Sequence, residues 1–426
     1  MNNATTRTDR GALLPVFLTV FIDLLGFGIV IPLLPIYSQE YGASGLVIGL
    51  LFSSFSLMQL VFAPFWGRLS DKIGRRPVLI IGLVGTAGSY VLFGLAQGLT
   101  MLFVSRSLAG FFGANVATAQ AYVADVTSPA DRAKGMGMIG AAFGLGFTFG
   151  PLIGGELAHY SMALPGFFAA GLSAVAAVIA IARLKEPRRH GDQASRVFGF
   201  ETVSIALREP RVGTVLVLYF IGILAFSGFE SMFIVFGLAN FPGAFNIPQA
   251  ITDPSTEQLM GAAKLAGRYM FGIGLLAALV QGGLIRRLVP RFGETKLIIA
   301  GPVLLGLGFV IVGFATSWWV VILGCAIMPM GFGVNNPSLQ GLLSRAVDSG
   351  RQGAFLGLNQ SLGSLARVVG PLLAGWVFDA AGPEDPFFVS AALLAIGAVM
   401  AVLYHRRFSA SFRKEITEPR PVGETA

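Results

Sequence analysis

Residues 67–77 read Gly67-Arg68-Leu69-Ser70-Asp71-Lys72-Ile73-Gly74-Arg75-Arg76-Pro77 and stand between two apolar runs, 46–65 and 78–97. Four cations and one carboxylate crowd into the eleven residues, and neither flanking run carries a charge. About 20 apolar residues is the length a helix needs to cross the hydrocarbon core of a bilayer. A short charged stretch between two such runs therefore reads as a hairpin of spanning helices with its turn in water.

The same alternation continues along the chain. Twelve apolar stretches follow one another, near 13–38, 46–65, 78–97, 100–123, 135–158, 163–183, 212–238, 263–285, 296–315, 317–341, 354–377 and 386–405. Barrel strands would alternate polar and apolar residues over about ten positions, whereas these runs are continuous, so helices are expected. Composition agrees: 54% of the residues are hydrophobic, 56 are Gly, 12% are charged, and mean hydropathy is +0.73. Soluble domains are about 25% charged, so most of this surface is expected to face lipid. High apolar content excludes a disordered chain, and the single cysteine, Cys325, forms no intrachain bridge. The first stretch exceeds the 7–15-residue apolar segment of a secretory signal and contains Asp23, so it is expected to remain in the mature protein.

The net charge of +8 is unevenly placed. Arg106 and Arg367 fall inside spans, and Lys264 and Arg268 near the start of the eighth; the other cations line the tails and the loops of one side. Loops of the opposite side carry Glu40, Glu156, Asp253, Glu257, Asp379, Glu384 and Asp385. The positive-inside rule then puts both termini in the cytoplasm of a multi-pass protein of the cell membrane. Cations spread this way form no nucleic-acid-binding patch.

The two halves of the chain repeat. Gly150-Pro151-Leu152 matches Gly370-Pro371-Leu372 at an offset of 220, which also pairs Gln120 with Gln340, Gly137 with Gly357 and Gly155 with Gly375. Arg68-Leu69-x-x-Lys72-Ile73-Gly74 matches Arg287-Leu288-x-x-Arg291-Phe292-Gly293 at an offset of 219. The expected fold is an all-α integral membrane protein with twelve transmembrane helices in two six-helix pseudo-repeats. Residues 1–183 and 212–405 form the bundles, 184–211 a cytoplasmic central loop with a short interfacial helix around 200–209, and 406–426 a cytoplasmic tail.

Residues 67–77 resemble the cytoplasmic signature of the major facilitator superfamily, G-x-L-[SA]-D-[RK]-x-G-R-[RK]-P. The resemblance implies parallel six-helix halves with the substrate site between them at mid-depth. It also implies that Asp71, within the set Gly67, Arg68, Gly74, Arg75 and Arg76, latches the halves on the cytoplasmic side, with Arg132 or the start of span eleven as partner. Orientation alone explains the cations, but Asp71 is unnecessary for it. Gly146-x-x-x-Gly150-Pro151-x-x-Gly154-Gly155 in span five is similar to the antiporter signature of proton-driven exporters; in physical terms it is a bent, closely packed helix. Span one, from Asp23 through Gly26, Gly28 and Pro32 to Pro35, resembles that of twelve-span drug–proton antiporters, the tetracycline-resistance group above all. That group carries a further Asp in span three, where Ser89 stands here, an acidic residue in span nine, which has none here, and a His in span eight, where Ala277 stands. These departures separate the chain from tetracycline specificity and leave the carboxyl in span one.

An ionisable group at membrane depth is costly and is a functional candidate for that reason. Asp23, about ten residues into span one, is a candidate to take a proton from one side and release it to the other; the matching Asp is required in the tetracycline exporters. The alternative is a carboxylate hydrogen-bonded to a kinked helix. Arg106 resembles the fourth-span arginine linked with proton coupling, and either stabilises a nearby carboxylate or holds helix one through its carbonyls. Glu230, in span seven, is a second titratable or cation-binding candidate, or sits at the interface. Arg367 either snorkels or pairs with a carboxylate. Gln59, Gln281, Asn335, Asn336, Asn359 and Gln360 are candidates to line a central cavity, and each is equally explained as glue between helices.

No HExxH, GxSxG or P-loop occurs, and the three histidines, His159, His190 and His405, lie at span ends or in loops. An enzyme is therefore not expected, nor any cofactor or metal. The expected activity is proton-coupled export of amphipathic drug-like compounds by alternating access, driven by the proton gradient. The partners are a small-molecule substrate, protons and the lipid bilayer, with the protein as a monomer. A facilitator or proton symporter for a small polar metabolite is the alternative, motivated by the Asn and Gln set of spans ten and eleven.

Overall fold

A computed structural model of the protein describes residues 10–113, 115–127, 131–187, 200–249, 251, 254–280, 283, 285–347 and 352–417. It is all helix and turn among these residues. The first half contains α1 (Arg10–Val30), α2 (Leu33–Glu40), α3 (Gly45–Ile73), α4 (Arg75–Gly94), α5 (Leu99–Phe112), α6 (Asn115–Val126), α7 (Arg132–Ala158) and α8 (Leu164–Arg183). The connecting helix is α9 (Phe200–Arg208), where a short helix is expected. The second half contains α10 (Pro210–Asn240), α11 (Thr256–Leu279), α12 (Ile285–Phe292), α13 (Glu294–Gly313), α14 (Trp318–Ala346), α15 (Gln352–Ala380) and α16 (Asp385–Thr417). Among the described residues, twelve stretches are long and apolar enough to cross a membrane, matching the twelve expected from sequence. The protein is a multi-pass membrane protein.

Several boundaries differ from the apolar runs. The signature at 67–77 is mostly helix and not loop: α3 continues to Ile73, α4 starts at Arg75, and the turn is Gly74 alone, at φ +111°. Helices that leave the hydrocarbon keep their hydrogen bonds in water, so charged residues extend them beyond the apolar run. Span one breaks between α1 and α2 at Pro32, which has no N–H to continue the ladder. Span four breaks at Gly113, whose freed carbonyl accepts a hydrogen bond from Gln59 Nε2 at 3.0 Å.

Equivalent helices pack alike in the two halves. α1 packs on α7 as α10 packs on α15, α4 on α8 as α13 on α16, and α4 on α5 as α13 on α14. Between the halves, α3 meets α15 and α7 meets α11, which are again equivalent pairs. Both seams need glycine. A Cβ on Gly49 would strike the Pro371 carbonyl, and one on Gly267 would strike the Pro151 carbonyl.

The core is asymmetric along the membrane normal. At the end away from the termini one buried cluster joins both halves, from Ile29, Leu33 and Tyr37 to Phe229, Phe236, Phe309 and Phe387. At the end of the termini each half keeps its own cluster: one around Leu83, Tyr122 and Ile139, the other around Val215, Leu342 and Leu358. Hydrogen bonds between the halves include three toward the first end, where Gly45 N–H and Leu46 N–H donate to Asp379 at 2.7 and 2.8 Å and Thr256 Oγ1 donates to Glu40 at 2.9 Å, and one deeper, from Ser53 Oγ to the Val368 carbonyl at 2.6 Å. Burial of a shared core on one side and of separate cores on the other makes a clamp, sealed at one end and divided at the other.

Candidate functional site

The seal is built from small residues. Gly146 and Gly150 of α7 face Leu24 and Gly28 of α1, and Gly154 faces the Ile29 carbonyl; a Cβ on any of them would meet backbone. Gly155 turns the other way, toward Ala263 and Gly267 of α11. The span-five glycines thus join one helix to its own half and to the other half. Beside them Glu156 accepts from Arg268 Nε at 2.7 Å and stands 3.6 Å from Lys264 Nζ. These are the two cations that the sequence places near the start of span eight, and their partner lies across the seam.

Just inside the seal, at mid-depth, is a cleft walled by both halves, with about 470 Å³ of empty space when its open mouth is counted. α1, α3 and their neighbours contribute Phe27, Ile31, Phe52 and Phe55, with Ser56; α10 and α15 contribute Ser227, Glu230, Arg367 and Pro371; Arg106 enters from α5. Phe27 and Phe55 lie with ring centroids 4.8 Å apart. A mostly apolar wall with a few convergent polar groups is the usual form of small-molecule sites.

Three of the ionisable residues singled out from sequence meet here: Arg106, Glu230 and Arg367. Arg106 is 3% exposed, with its guanidinium 5.4 Å from the Phe93 ring centroid and 5.8 Å from that of Tyr90. Its Nε and Nη2 have no hydrogen-bond partner. Neither of the contacts expected for it, to a carboxylate or to the carbonyls of helix one, is present among the described residues. Arg367 Nη2 donates to Ser364 Oγ at 3.4 Å, and Arg367 and Glu230 lie within electrostatic reach of one another.

Asp23 stands apart from that pocket. Asn115 Nδ2 donates to its Oδ2 at 3.3 Å, and its buried Oδ1 has no partner. Tyr90 is the ring between the two regions, in electrostatic range of both Asp23 and Arg106. The other cavity candidates are placed elsewhere. Asn335 is buried against Gly301 of α13 and Gly222 of α10. Asn359 is buried, Asn336 is half-buried and Gln360 is exposed, and none of the three lines this pocket. Gln59 satisfies the break at Gly113. Gln281 lies outside the described residues.

At the termini end, Asp71 Oδ1 pairs with Arg75 Nη1 at 2.7 Å. Arg75 also reaches Asp125 at 3.1 Å and Ser70 Oγ at 2.5 Å. Arg76 Nη2 donates to the Ile181 carbonyl at 2.8 Å. Arg75 N–H and Arg76 N–H donate to Glu186 at 2.7 and 3.1 Å, so this carboxylate caps α4 across Gly74. Arg75, one helical turn on, is one partner of Asp71; the side chain of Arg132, expected as its partner, lies outside the described residues. Arg68 is exposed, and Gly67 has open space where a Cβ would be.

Sequence reasoning did not single out Asn115, Asp125, Glu186 or Ser227. Asp125 and Glu186 had a signal, since each is a carboxylate at the end of an apolar run on the cationic side. Asn115 and Ser227 had none, because uncharged polar residues are common within spans.

A sequence model of the Major Facilitator Superfamily matches residues 16–285 and 255–424. The chain is 32% identical over 362 residues to the class B tetracycline resistance protein of Escherichia coli, covering 84% of this chain and 86% of that one. It is 30% identical over 387 residues to multidrug resistance protein 1 of Bacillus subtilis, covering 90% and 94%. The quinolone resistance protein NorA of Staphylococcus aureus is 27% identical over 400 residues, covering 94% of this chain and 97% of its own. Among solved structures, the human organic anion transporter MFSD10 superposes with a TM-score of 0.68 at 28% identity, over 92% of this chain and 99% of that one. A bacterial homologue of the lysosomal transporter Spinster, in an inward-facing unoccupied conformation, gives a TM-score of 0.74 at 15% identity over 94% and 97%, a likeness of fold. With its twelve spans, its paired halves and this match along nearly the whole sequence, the chain belongs to the major facilitator superfamily.

Proposed function

We propose that this protein exports amphipathic drug-like compounds across the cytoplasmic membrane by alternating access, in exchange for protons, as a monomer and with the proton gradient as its only energy source. The observation that carries the reading is the mid-depth pocket between the halves, aromatic-walled and lined by Arg106, Glu230 and Arg367. Relatives named as tetracycline, multidrug and quinolone resistance proteins support export of drugs. With the termini in the cytoplasm, as the cation distribution favours, the divided end faces the cytoplasm and the sealed end faces outward, a state ready to accept cargo from inside.

Asp23 is the proton carrier in this reading. Its Oδ1 is buried and has no hydrogen-bond partner, and an ionisable group at membrane depth is a functional candidate by its cost. It sits on α1, the helix held by the span-five glycines, so its charge state acts on the helix that packs against the seal. Protonation from outside favours the state seen here; proton release inside, with cargo bound, favours the opposite one. The cytoplasmic latch of that opposite state draws on Asp71 and the cations around it. The apolar wall of the pocket supports amphipathic cargo over a small polar metabolite.

Everted vesicles test the coupling. Addition of a transported drug is expected to release protons in vesicles with the wild-type protein and not in vesicles with Asp23→Asn, while drug binding persists. Unchanged proton release in Asp23→Asn would overturn the assignment.

A further inference from the structure

The pocket holds two guanidinium groups and one carboxylate. Glu230 is attracted to Arg367, which leaves the positive charge of Arg106 without an acidic partner. Two of its three nitrogens, Nε and Nη2, are buried donors with nothing to bond to. Asp23, a buried carboxyl of its own half in range of the same Tyr90 ring, takes its hydrogen bond from Asn115 instead. The rings of Tyr90 and Phe93 face the guanidinium at 5.8 and 5.4 Å, but a ring quadrupole returns less than the desolvation of a charge takes away. A buried arginine fork in this state is matched by an oxyanion, which a guanidinium binds through two parallel hydrogen bonds.

We infer that this pocket selects compounds bearing an acidic group: an aromatic body lies along Phe27, Phe52 and Phe55 while a carboxylate or sulfonate is held by Arg106, with Arg367 adding positive potential from the other half. The cargo is thus an amphipathic organic acid, and a zwitterion whose cationic end faces Glu230 fits the same arrangement. Because the two arginines belong to opposite halves, an acidic group drawn to both favours the state in which the halves stand close around it. The inference rests on the export reading in one respect only, that this pocket is where cargo sits.

A matched pair of probes tests it: 9-anthracenecarboxylate and its neutral amide, with ethidium as a cation. Equilibrium dialysis against the full chain in lipid nanodiscs is expected to show the acid bound at least tenfold more tightly than the amide. In Arg106→Gln and in Arg367→Gln the acid-to-amide ratio is expected to fall toward one, and in Arg106→Lys to recover in part. Amide binding kept at the wild-type level in the Gln variants, with the partial recovery in Arg106→Lys, separates loss of the acidic subsite from misfolding. An acid bound no better than the amide in the wild type, or a ratio unchanged in both Gln variants, overturns the inference. Proteoliposomes with an imposed pH gradient separate it from the export reading. If the acid binds selectively but none of the three probes is moved, export fails and the acidic subsite stands; if ethidium is moved and the acid is ignored, export stands and the subsite falls.

Discussion

Asp379, at the end of α15, accepts the backbone N–H of Gly45 at 2.7 Å and that of Leu46 at 2.8 Å, capping α3 of the other half. A carboxylate at a helix N-terminus meets both unpaired donors and the positive end of the helix dipole. Such a contact contributes about 0.3–1 kcal/mol at an exposed site. Asp379→Ala is therefore expected to lower the ratio of sealed to opened molecules two- to fivefold. Spin-label distances between the turns at 41–44 and 381–384, measured in nanodiscs with Cys325→Ser, should gain a longer component; an unaltered distribution would show that the cap does not hold the seal.

Gly267 and Gly155 meet backbone to backbone, and a Cβ on Gly267 would collide with the Pro151 carbonyl. Overpacking a close seam costs about 1–3 kcal/mol. Gly267→Leu should thus push α11 from α7 and weaken the seal more than Asp379→Ala does. Reactivity of a cysteine introduced at Thr148, beside Gly274 in the same seam, toward a membrane-impermeant reagent applied from outside should rise about tenfold, and a rate equal to that in the unaltered background would refute the packing account.

The pairs of Glu156 with Arg268 and Lys264 are partly exposed, with side-chain exposures of 38%, 52% and 27%. Solvated pairs contribute about 0.2–1 kcal/mol and are screened by salt. Reversal in Glu156→Arg is expected to open the seal modestly, and the added change Arg268→Glu to restore it. The double-mutant cycle should give a coupling of about 0.5–1 kcal/mol in low salt and near zero in 1 M salt. A coupling indifferent to salt would mean that the pair acts by packing and not by charge.

Glu186 accepts two N–H groups at the start of α4, and Gly74 before it has φ +111°. Loss of a helix N-cap costs about 0.5–2 kcal/mol, and a side chain at that backbone conformation is strained. Both Glu186→Ala and Gly74→Ala should lower the melting temperature of the purified protein by a few degrees. The second is expected to cost more, because its Cβ would also strike the Glu186 carboxylate. Equal melting of Gly74→Ala and wild type would remove the turn from the account.

Much of the fold is legible in the order of residues. Apolar runs of bilayer length locate all twelve spans, because a chain in lipid must satisfy its backbone within each segment. Repeated Gly-Pro spacing anticipates the equivalent packing of the halves. Of the site, three ionisable residues are legible, Arg106, Glu230 and Arg367, because charge at membrane depth is rare enough to stand out. Uncharged polar residues are not: Asn335 and Gln59 serve helix packing and a helix break, while Ser227, with no distinguishing signal, lines the pocket.

The sequence by itself determined the helix count, the sidedness of charge and the positions where ionisable groups sit at depth. These depend on composition within a single span. Tertiary structure alone decided which end of the clamp is sealed, that Arg75 pairs with Asp71, that Asn115 donates to Asp23, and that Arg106 and Arg367 face one space from opposite halves. A helix that is apolar on every side has no periodic signal for which face looks inward. Partners such as Gly45 and Asp379, more than 300 residues apart in the chain, are joined only by how the two halves pack.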